Sequence, residues 1–140
     1  MHSKQYGNLG EIAVAKDLIS KGYYVFTELG DICKSDLIIL NEDYKPIKLQ
    51  VKCVSIKHGK ISFSSVKSGP NYSYTYELKH ADIYAIYIHE KDIILYLSSK
   101  QALMQREITI RVEPPKNNQS LGVNWYQNYL DLDKVLGGGS

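Results

Sequence analysis

The sequence has few cysteines, no long hydrophobic run and almost no net charge. Its two cysteines, Cys33 and Cys53, form neither the paired spacing of a metal site nor a disulfide framework. No apolar run approaches membrane-spanning length, and the opening Met-His-Ser-Lys lacks the hydrophobic region of a secretory signal. A formal net charge of +2 permits nucleic-acid binding only through local patches. We therefore expect a cytoplasmic protein without a membrane partner.

The 140 residues, 44% of them hydrophobic, suit one compact domain with a core of its own. We expect this single domain to cover residues 1–136, because the glycine-rich end at 137–140 is typical of a flexible linker or a cloning remnant. The 12 tyrosines combine an apolar ring with a polar tip, which suits interfaces with protein or nucleic acid.

The pattern of apolar residues predicts one helix followed by consecutive strands. Helices are expected over 10–21, 99–106 and 125–135. The first has an apolar stripe that includes Ile12, Leu18 and Ile19, and the last buries Trp125, Leu130 and Leu132. The expected strands cover residues 23–27, 36–40, 47–56, 61–64, 82–89, 92–98 and 108–112. Residues 65–76 fit either a loop or, near 74–80, a short helix.

Polar side chains occur in two of these strands, where a strand alone does not need them. Asp36 precedes an unbroken apolar run, and Gln50 and Lys52 alternate with the apolar residues of the next strand. Taken singly, Asp36 suits a turn, and Gln50 and Lys52 suit a solvated strand face. If the strands pair, the three converge at one end of a sheet. A carboxylate, an amide oxygen and an ammonium there suit a hard metal ion and a phosphodiester.

This cluster resembles the active-site core of the PD-(D/E)xK nuclease superfamily, with an aspartate on one strand and acid-x-lysine on the next. Residues 7–15 are similar to the G-x-x-G-E helix start of archaeal-type Holliday junction resolvases and intron homing endonucleases. Residues 111–119 and 122–125 resemble the tail of bacterial group I intron endonucleases. Position 50 is Gln where most members have Glu or Asp, and this Q-x-K variant is typical of the intron endonuclease branch.

The resemblance implies an α/β fold with a restriction-endonuclease-like core, a mixed central β-sheet with flanking helices in an αβββαβ-type order. It implies a catalytic set of Glu11, Asp36, Gln50 and Lys52. Mg²⁺, with Mn²⁺ as a substitute, would bind Asp36, the Gln50 side-chain oxygen and the Val51 carbonyl, while Glu11 would hold a bound water or a second ion. Lys52 would position the attacking water and stabilise charge on the phosphate.

Two polar segments are candidates for contacts with DNA. The first is the turn after the catalytic strand, with Lys57, His58 and Lys60, although a solvated basic turn fits equally well. The second is a loop of one cation and three amides: Lys116, Asn117, Asn118 and Gln119. Amides read base edges well. The tyrosines at 72, 74 and 76 fit either a subunit interface or DNA.

We expect a site-specific, Mg²⁺-dependent double-strand DNA endonuclease similar to the intron homing enzymes. A chain this small needs an oligomer to read a long target, a homodimer or the tetramer that the resemblance implies. Two alternatives stay open. One is a structure-specific nuclease such as a Holliday junction resolvase. The other is a nuclease fold that binds DNA without cutting, with Gln50 as a degenerate position, although intact Glu11, Asp36 and Lys52 argue against it.

Overall fold

The computed structural model describes residues 1–30, 32–64, 66–69, 72–75, 77–117 and 121–137, and for 66–69 and 72–75 the backbone alone. Its helices are α1 (Ser3–Ser20), α2 (Ser99–Leu103) and α3 (Leu132–Gly137), with 3-10 turns at Leu78–His80 and Tyr126–Tyr129. Its strands are β1 (Tyr24–Phe26), β2 (Leu37–Leu40), β3 (Pro46–Val54), β4 (Lys60–Ser64), β5 (Val66–Gly69), β6 (Tyr72–Thr75), β7 (Ile83–Ile88), β8 (Ile93–Ser98) and β9 (Glu107–Arg111). The expected order of one helix followed by consecutive strands is confirmed.

A five-stranded mixed sheet in the order β1-β2-β3-β7-β8 forms the centre of the molecule. The three strands from β1 to β3 are antiparallel neighbours, β7 runs parallel to β3, and β8 runs antiparallel to β7. All six residues of β7 are buried, which matches its nearly continuous apolar sequence and a strand covered on both faces. The mixed α/β fold expected from the sequence is therefore confirmed.

Two clusters of buried side chains cover the two faces of this sheet. The cluster under α1 contains Val14, Leu18, Leu37, Ile39, Leu49, Ile83, Ala85, Tyr96 and Leu132. The cluster that includes the antiparallel β4–β9 ribbon contains Ile61, Phe63, Tyr84, Ile86, Ile88, Leu95, Leu97, Ala102, Ile108, Ile110, Val112 and Tyr129. Since side chains alternate along a strand, Leu49 and Val51 face α1, and Gln50 and Lys52 face the opposite side.

Helix α1 begins seven residues before the predicted start at residue 10. His2 caps it: its ring Nδ1 accepts from the Lys4 N–H at 3.1 Å, and its own N–H donates to the Gln5 side-chain oxygen at 2.7 Å. This reciprocal pair is a capping box, built here on histidine and glutamine. Glu11 therefore lies in the middle of the helix and not at its start, where the predicted helix over 10–21 had it.

The face that α1 buries also differs from the predicted stripe. Ile12 and Ile19 are 67% and 61% exposed. Leu18 of that stripe is buried as predicted, but the other buried residues, Gly10 and Val14, lie outside it. The helix turns its glycine toward the sheet, because a residue without a side chain allows the closest approach between the two backbones.

The C-terminal region departs from the single short helix that the sequence predicts. Leu132 is buried as expected, but Leu130 is 43% exposed and Trp125 is half-buried. Tyr129, the last residue of the 3-10 turn at Tyr126–Tyr129, is buried instead, and its hydroxyl donates to the Asn124 side-chain oxygen at 2.6 Å.

The region expected as a loop or a short helix contains the antiparallel pair β5–β6. The loop prediction is therefore wrong for residues 66–69 and 72–75. Among the described residues of this region, the helical part is the turn at Leu78–His80. Tyr72 and Tyr74 lie on β6, and Tyr76 lies outside the described residues. Within the described ranges, no helix has the length and apolarity needed to cross a bilayer.

Candidate active site

Asp36 closes the end of the β2–β3 pair with both its backbone and its side chain. Its N–H donates to the Leu49 carbonyl at 2.8 Å, and its carboxylate Oδ2 accepts from the Val51 N–H at 2.8 Å. The last ladder pair of β2 and β3 at this end is Leu37 with Leu49. The carboxylate thus takes the place of a backbone carbonyl at the point where the ladder ends.

The carbonyl of Val51 points to the same edge of β3 as the Asp36 carboxylate. In a regular strand the N–H and C=O of one residue point toward the same neighbouring strand. Since the Val51 N–H meets Asp36, its C=O also opens on the β2 side, beyond the end of β2. Two oxygen donors are therefore available along this edge, one from a side chain and one from the backbone.

Gln50 lies between Asp36 and Tyr84 across three neighbouring strands. Gln50 and Tyr84 are Cα partners in the parallel β3–β7 ladder, and the β2–β3 register sets Asp36 on the other side of Gln50. All three lie on the sheet face away from α1. Gln50 is only 6% exposed and Tyr84 only 1%. This part of β3 is therefore not a solvated strand face.

Tyr84 is a residue of this site that the sequence did not reveal. A tyrosine within an apolar run is typical of a core position, and only the pairing of β3 with β7 brings it beside Gln50. Burial, and secondly the negative charge of Asp36, raise the pKa of Tyr84 from 10 to about 12. The phenol therefore keeps its proton near neutral pH.

Lys52 lies one strand period beyond Gln50, on the same face of the sheet, and is half-buried. Glu11 belongs to α1 on the opposite face and is also half-buried. Next to it, Gly10 lies against β3: a Cβ added there would be 3.1 Å from Cys53 Cβ and 3.5 Å from Val51 Cγ1. The helix backbone therefore packs directly on the stretch of β3 that carries the site.

The rotation of α1 determines the direction in which Glu11 projects. Tyr6 and Asp17 mark the β7–β8 side of the helix: the Tyr6 ring lies 4.9 Å from the His89 ring, and Asp17 accepts from the Tyr96 hydroxyl at 2.5 Å. At about 100° per residue, Glu11 lies roughly 120–140° around the helix axis from both. Glu11 therefore projects toward the β2 side, where the β2–β3 ladder ends.

The chemistry of these groups fits a hard divalent cation. Carboxylates of Asp36 and Glu11, the amide oxygen of Gln50 and the Val51 carbonyl are the kinds of ligand that Mg²⁺ and Mn²⁺ accept. In the described part of the chain, no three His, Cys, Asp or Glu side chains gather into one cluster. The oxygen set at this site is accordingly a mixture of carboxylate, amide and backbone groups.

The turn predicted at residues 57–60 is present. Lys57 and Lys60 exchange backbone hydrogen bonds of 2.8 and 3.1 Å, and His58 and Gly59 have φ angles of 55° and 78°. Two positive φ values are typical of a tight type I′ turn. The Gly59 carbonyl also accepts from the N–H groups of residues 112 and 113, both at 2.9 Å. This links the turn to the segment that follows β9.

The two segments proposed for DNA contacts meet at one groove. Its volume is about 950 Å³, and its lining includes His58, Lys91, Arg111, Lys116 and Asn117. A second hollow of about 510 Å³ next to the turn is lined by Lys57 and Lys60, among others. Asn118 and Gln119 lie outside the described residues. The structure therefore brings together two basic segments that are far apart in sequence.

Arg111 adds a guanidinium to this groove that the sequence analysis did not single out. Its Nε donates to the Glu113 carbonyl at 3.1 Å. A Cβ added to Gly59 would lie 2.6 Å from Arg111 Nη2, so the glycine leaves room for the guanidinium. The groove also contains acidic groups, and Lys91 Nζ lies 3.7 Å from Glu113 Oε1. Its charge is therefore mixed rather than uniformly positive.

A mixed sheet with an aspartate and a Gln-x-Lys pair at the end of two adjoining strands is the arrangement that the resemblance to restriction-endonuclease-like nucleases implies. The chain belongs to the PD-(D/E)XK endonuclease family, whose model matches residues 1–132. Its structure is similar to that of a bacterial homing endonuclease, I-Ssp6803I, with a TM-score of 0.75 and 20% sequence identity over 92% of this chain and 88% of that chain. At this identity the likeness shows the fold. No curated protein sequence matches the chain significantly.

Proposed function

We propose that the chain is a site-specific, Mg²⁺-dependent endonuclease that hydrolyses phosphodiester bonds in double-stranded DNA. The observation that carries this proposal is the grouping of Asp36, Gln50 and Lys52 on one face of the sheet at the end of the β2–β3 ladder. Membership of a nuclease family supports it. The groove beside the 57–60 turn also offers cations and the Asn117 amide for a nucleic acid.

Asp36 would be the principal anionic ligand for the metal. The Val51 N–H fixes one of its oxygens at 2.8 Å, so the carboxylate has a defined orientation. The Gln50 oxygen and the Val51 carbonyl would complete the set, and Glu11 would hold a bound water or a second ion. When bound, Mg²⁺ or Mn²⁺ supplies charge neutralisation on the scissile phosphate and an activated water nucleophile.

Lys52 would position the attacking water and stabilise negative charge on the phosphate. Its place, one strand period from Gln50 and beyond the end of β2, suits a group that meets the substrate. Gln50 carries no charge, so the site holds one negative charge fewer than a set with glutamate there. We therefore expect weaker metal affinity without DNA, with the phosphate's own charge completing the site.

The groove would bind the duplex. Lys57, His58, Lys60 and Lys116 would contact phosphates, which positions the DNA without reading its sequence. Asn117, with Asn118 and Gln119 after it, would read base edges. The meeting of the two segments at one groove supports a joint role, because one stretch of duplex could then touch both.

We also propose that the chain acts as a homo-oligomer, a dimer or a tetramer. The edge strand β1 exposes Tyr24 and Phe26, and the Tyr44 ring stacks on Tyr24 with centroids 6.0 Å apart. An edge strand with exposed aromatic residues is a surface that natural proteins usually cover. Sedimentation of the wild type and of Phe26→Lys tests this: a monomeric wild type would contradict the proposal.

The nuclease proposal is tested with purified protein and Mg²⁺ on a linear duplex library of randomised sites and on a four-way junction. Discrete duplex cleavage, lost on addition of EDTA, is the expected result. Cleavage restricted to the junction would favour a resolvase, and binding without cleavage would indicate a degenerate nuclease. Asp36→Asn is the inactive reference, and Asp43→Asn, an exposed carboxylate on the β2–β3 turn, is the matched control.

A further inference from the structure

Tyr84 brings a hydroxyl to a strand that is otherwise almost entirely apolar. β7 carries two tyrosines, and the Tyr87 hydroxyl donates to Asp92 Oδ1 at 2.8 Å. Tyr84 belongs to the opposite face and pairs with Gln50. A phenylalanine would fill the apolar cluster around Tyr84 equally well, and a buried hydroxyl costs free energy unless a polar group compensates it. We expect the polar groups of the site to compensate this phenol when the metal is bound.

Gln50 poses a problem that a glutamate would not. A carboxylate presents oxygen at both ends, whereas an amide presents oxygen at one end and NH₂ at the other. A metal ion needs the oxygen. The Asp36 carboxylate on the β2 side of Gln50 is an acceptor and by itself attracts the NH₂ end. An acceptor on the β7 side is therefore needed to draw the NH₂ away and turn the oxygen toward Asp36.

We propose that Tyr84 is the positioning residue that orients the Gln50 amide, so that its oxygen faces Asp36 in the metal-loaded site. The register places the two residues side by side in neighbouring strands, about 4.8 Å apart, on one face of the sheet. A phenol accepts a hydrogen bond from an amide NH₂ and can donate one in turn. This inference rests on the proposed function, since it assigns Tyr84 a role toward the same metal site.

The test combines Tyr84→Phe with Gln50→Glu. Apparent Mn²⁺ affinity is taken from the rise in melting temperature with Mn²⁺ concentration, which needs no turnover. Tyr84→Phe should weaken this affinity about tenfold or more, as loss of a partner of a metal ligand typically does. In the Gln50→Glu background, Tyr84→Phe should alter the Mn²⁺ affinity less than about twofold, because both ends of a carboxylate are oxygens and need no orientation. The Mg²⁺ concentration for half-maximal cleavage should follow the same pattern.

Tyr87→Phe is the matched control, because it removes a hydroxyl from the same strand on the other face and should leave Mn²⁺ affinity unchanged. The metal-free melting temperature reports any loss of fold, and a general destabilisation would appear in both backgrounds. An equal loss of Mn²⁺ affinity in both backgrounds, or no loss with Gln50 present, overturns the role of Tyr84 and leaves the proposed function standing. A wild-type protein that neither binds Mn²⁺ nor cuts DNA overturns the proposed function as well.

Discussion

Asp36 combines two roles that two substitutions can separate. It accepts a hydrogen bond from the Val51 N–H at 2.8 Å, and it supplies the negative charge of the proposed metal site. Asp36→Asn keeps a side-chain oxygen that can accept from Val51 but removes the charge. Asp36→Ala removes both. We expect both variants to lose cleavage, but only the alanine variant to lose substantial stability.

The size of each effect follows from the contacts. Alanine leaves the Val51 N–H without its acceptor at a half-buried position, which costs about 1–3 kcal/mol. For a chain of this size, that lowers the melting temperature by about 4 °C per kcal/mol. Asparagine should cost about 1 kcal/mol, the difference between a charge-assisted and a neutral hydrogen bond. Turnover should fall by about 10²–10³-fold or more in both, as when one preorganised electrostatic group is removed.

The assay compares single-turnover cleavage of the target duplex with melting temperature in the absence of metal. Asp43→Asn should match the wild type in both. Cleavage by Asp36→Asn at the wild-type rate would refute the assignment of Asp36 to the site. If Asp36→Ala melted at the wild-type temperature, the hydrogen bond between Asp36 and Val51 would not stabilise the end of the β2–β3 ladder.

Further predictions concern Lys52, the loop residues Lys116 and Asn117, and Tyr96. Lys52→Ala should lower turnover by about 10²–10³-fold with little change in DNA affinity, and a change of only a few-fold in single-turnover cleavage would return Lys52 to a surface role. Lys116→Ala should weaken binding to all sequences and reduce the salt slope by about one unit, whereas Asn117→Ala should cost about 1–3 kcal/mol of discrimination at one or a few base pairs. Both are measured as affinities for the target and for its single-base variants across a salt series. An unchanged base preference in Asn117→Ala would show that Asn117 does not contact base edges. Burial, followed by the hydrogen bond to Asp17, raises the pKa of Tyr96 above its ordinary value of 10. The folded state thus holds this proton after the unfolded chain has lost it, so stability is intact below pH 10 and falls above it by up to about 1.4 kcal/mol per pH unit. Tyr96→Phe should flatten that fall in urea titrations between pH 8 and 11, and parallel curves would contradict the shift.

The sequence predicted which residues form strands better than it predicted what packs against each strand. Alternation along residues 47–53 identified both faces of β3, because a period of two depends only on the strand itself. Whether Gln50 faces solvent depends on what covers that face, and no local pattern contains this information. Tyr84 was missed for the same reason, since its pairing with Gln50 joins residues 34 positions apart.

The errors in the helices have a different cause. Apolar residues occur around much of α1, so Ile12 and Val14 are equally good candidates for burial by sequence. The structure selects Val14 because Gly10 lies on β3 and fixes the rotation of the helix. A glycine contributes nothing to an apolar stripe, and the contact that set the helix was therefore invisible to periodicity.

The candidate site depends on the shortness of β2. Its ladder with β3 stops at Leu37. One residue earlier, the Asp36 carboxylate accepts the hydrogen bond of the Val51 N–H, which a backbone carbonyl would accept if β2 were longer. The chain before Asp36 is held elsewhere, since the Ser35 hydroxyl donates to the His80 carbonyl near the start of β7. If β2 continued along β3, backbone groups would satisfy both the N–H and the C=O of Val51, and the carboxylate would have no place at this edge. Ending the ladder at Leu37 thus converts a strand end, otherwise a structural weakness, into a set of oriented oxygens beside Gln50 and Lys52.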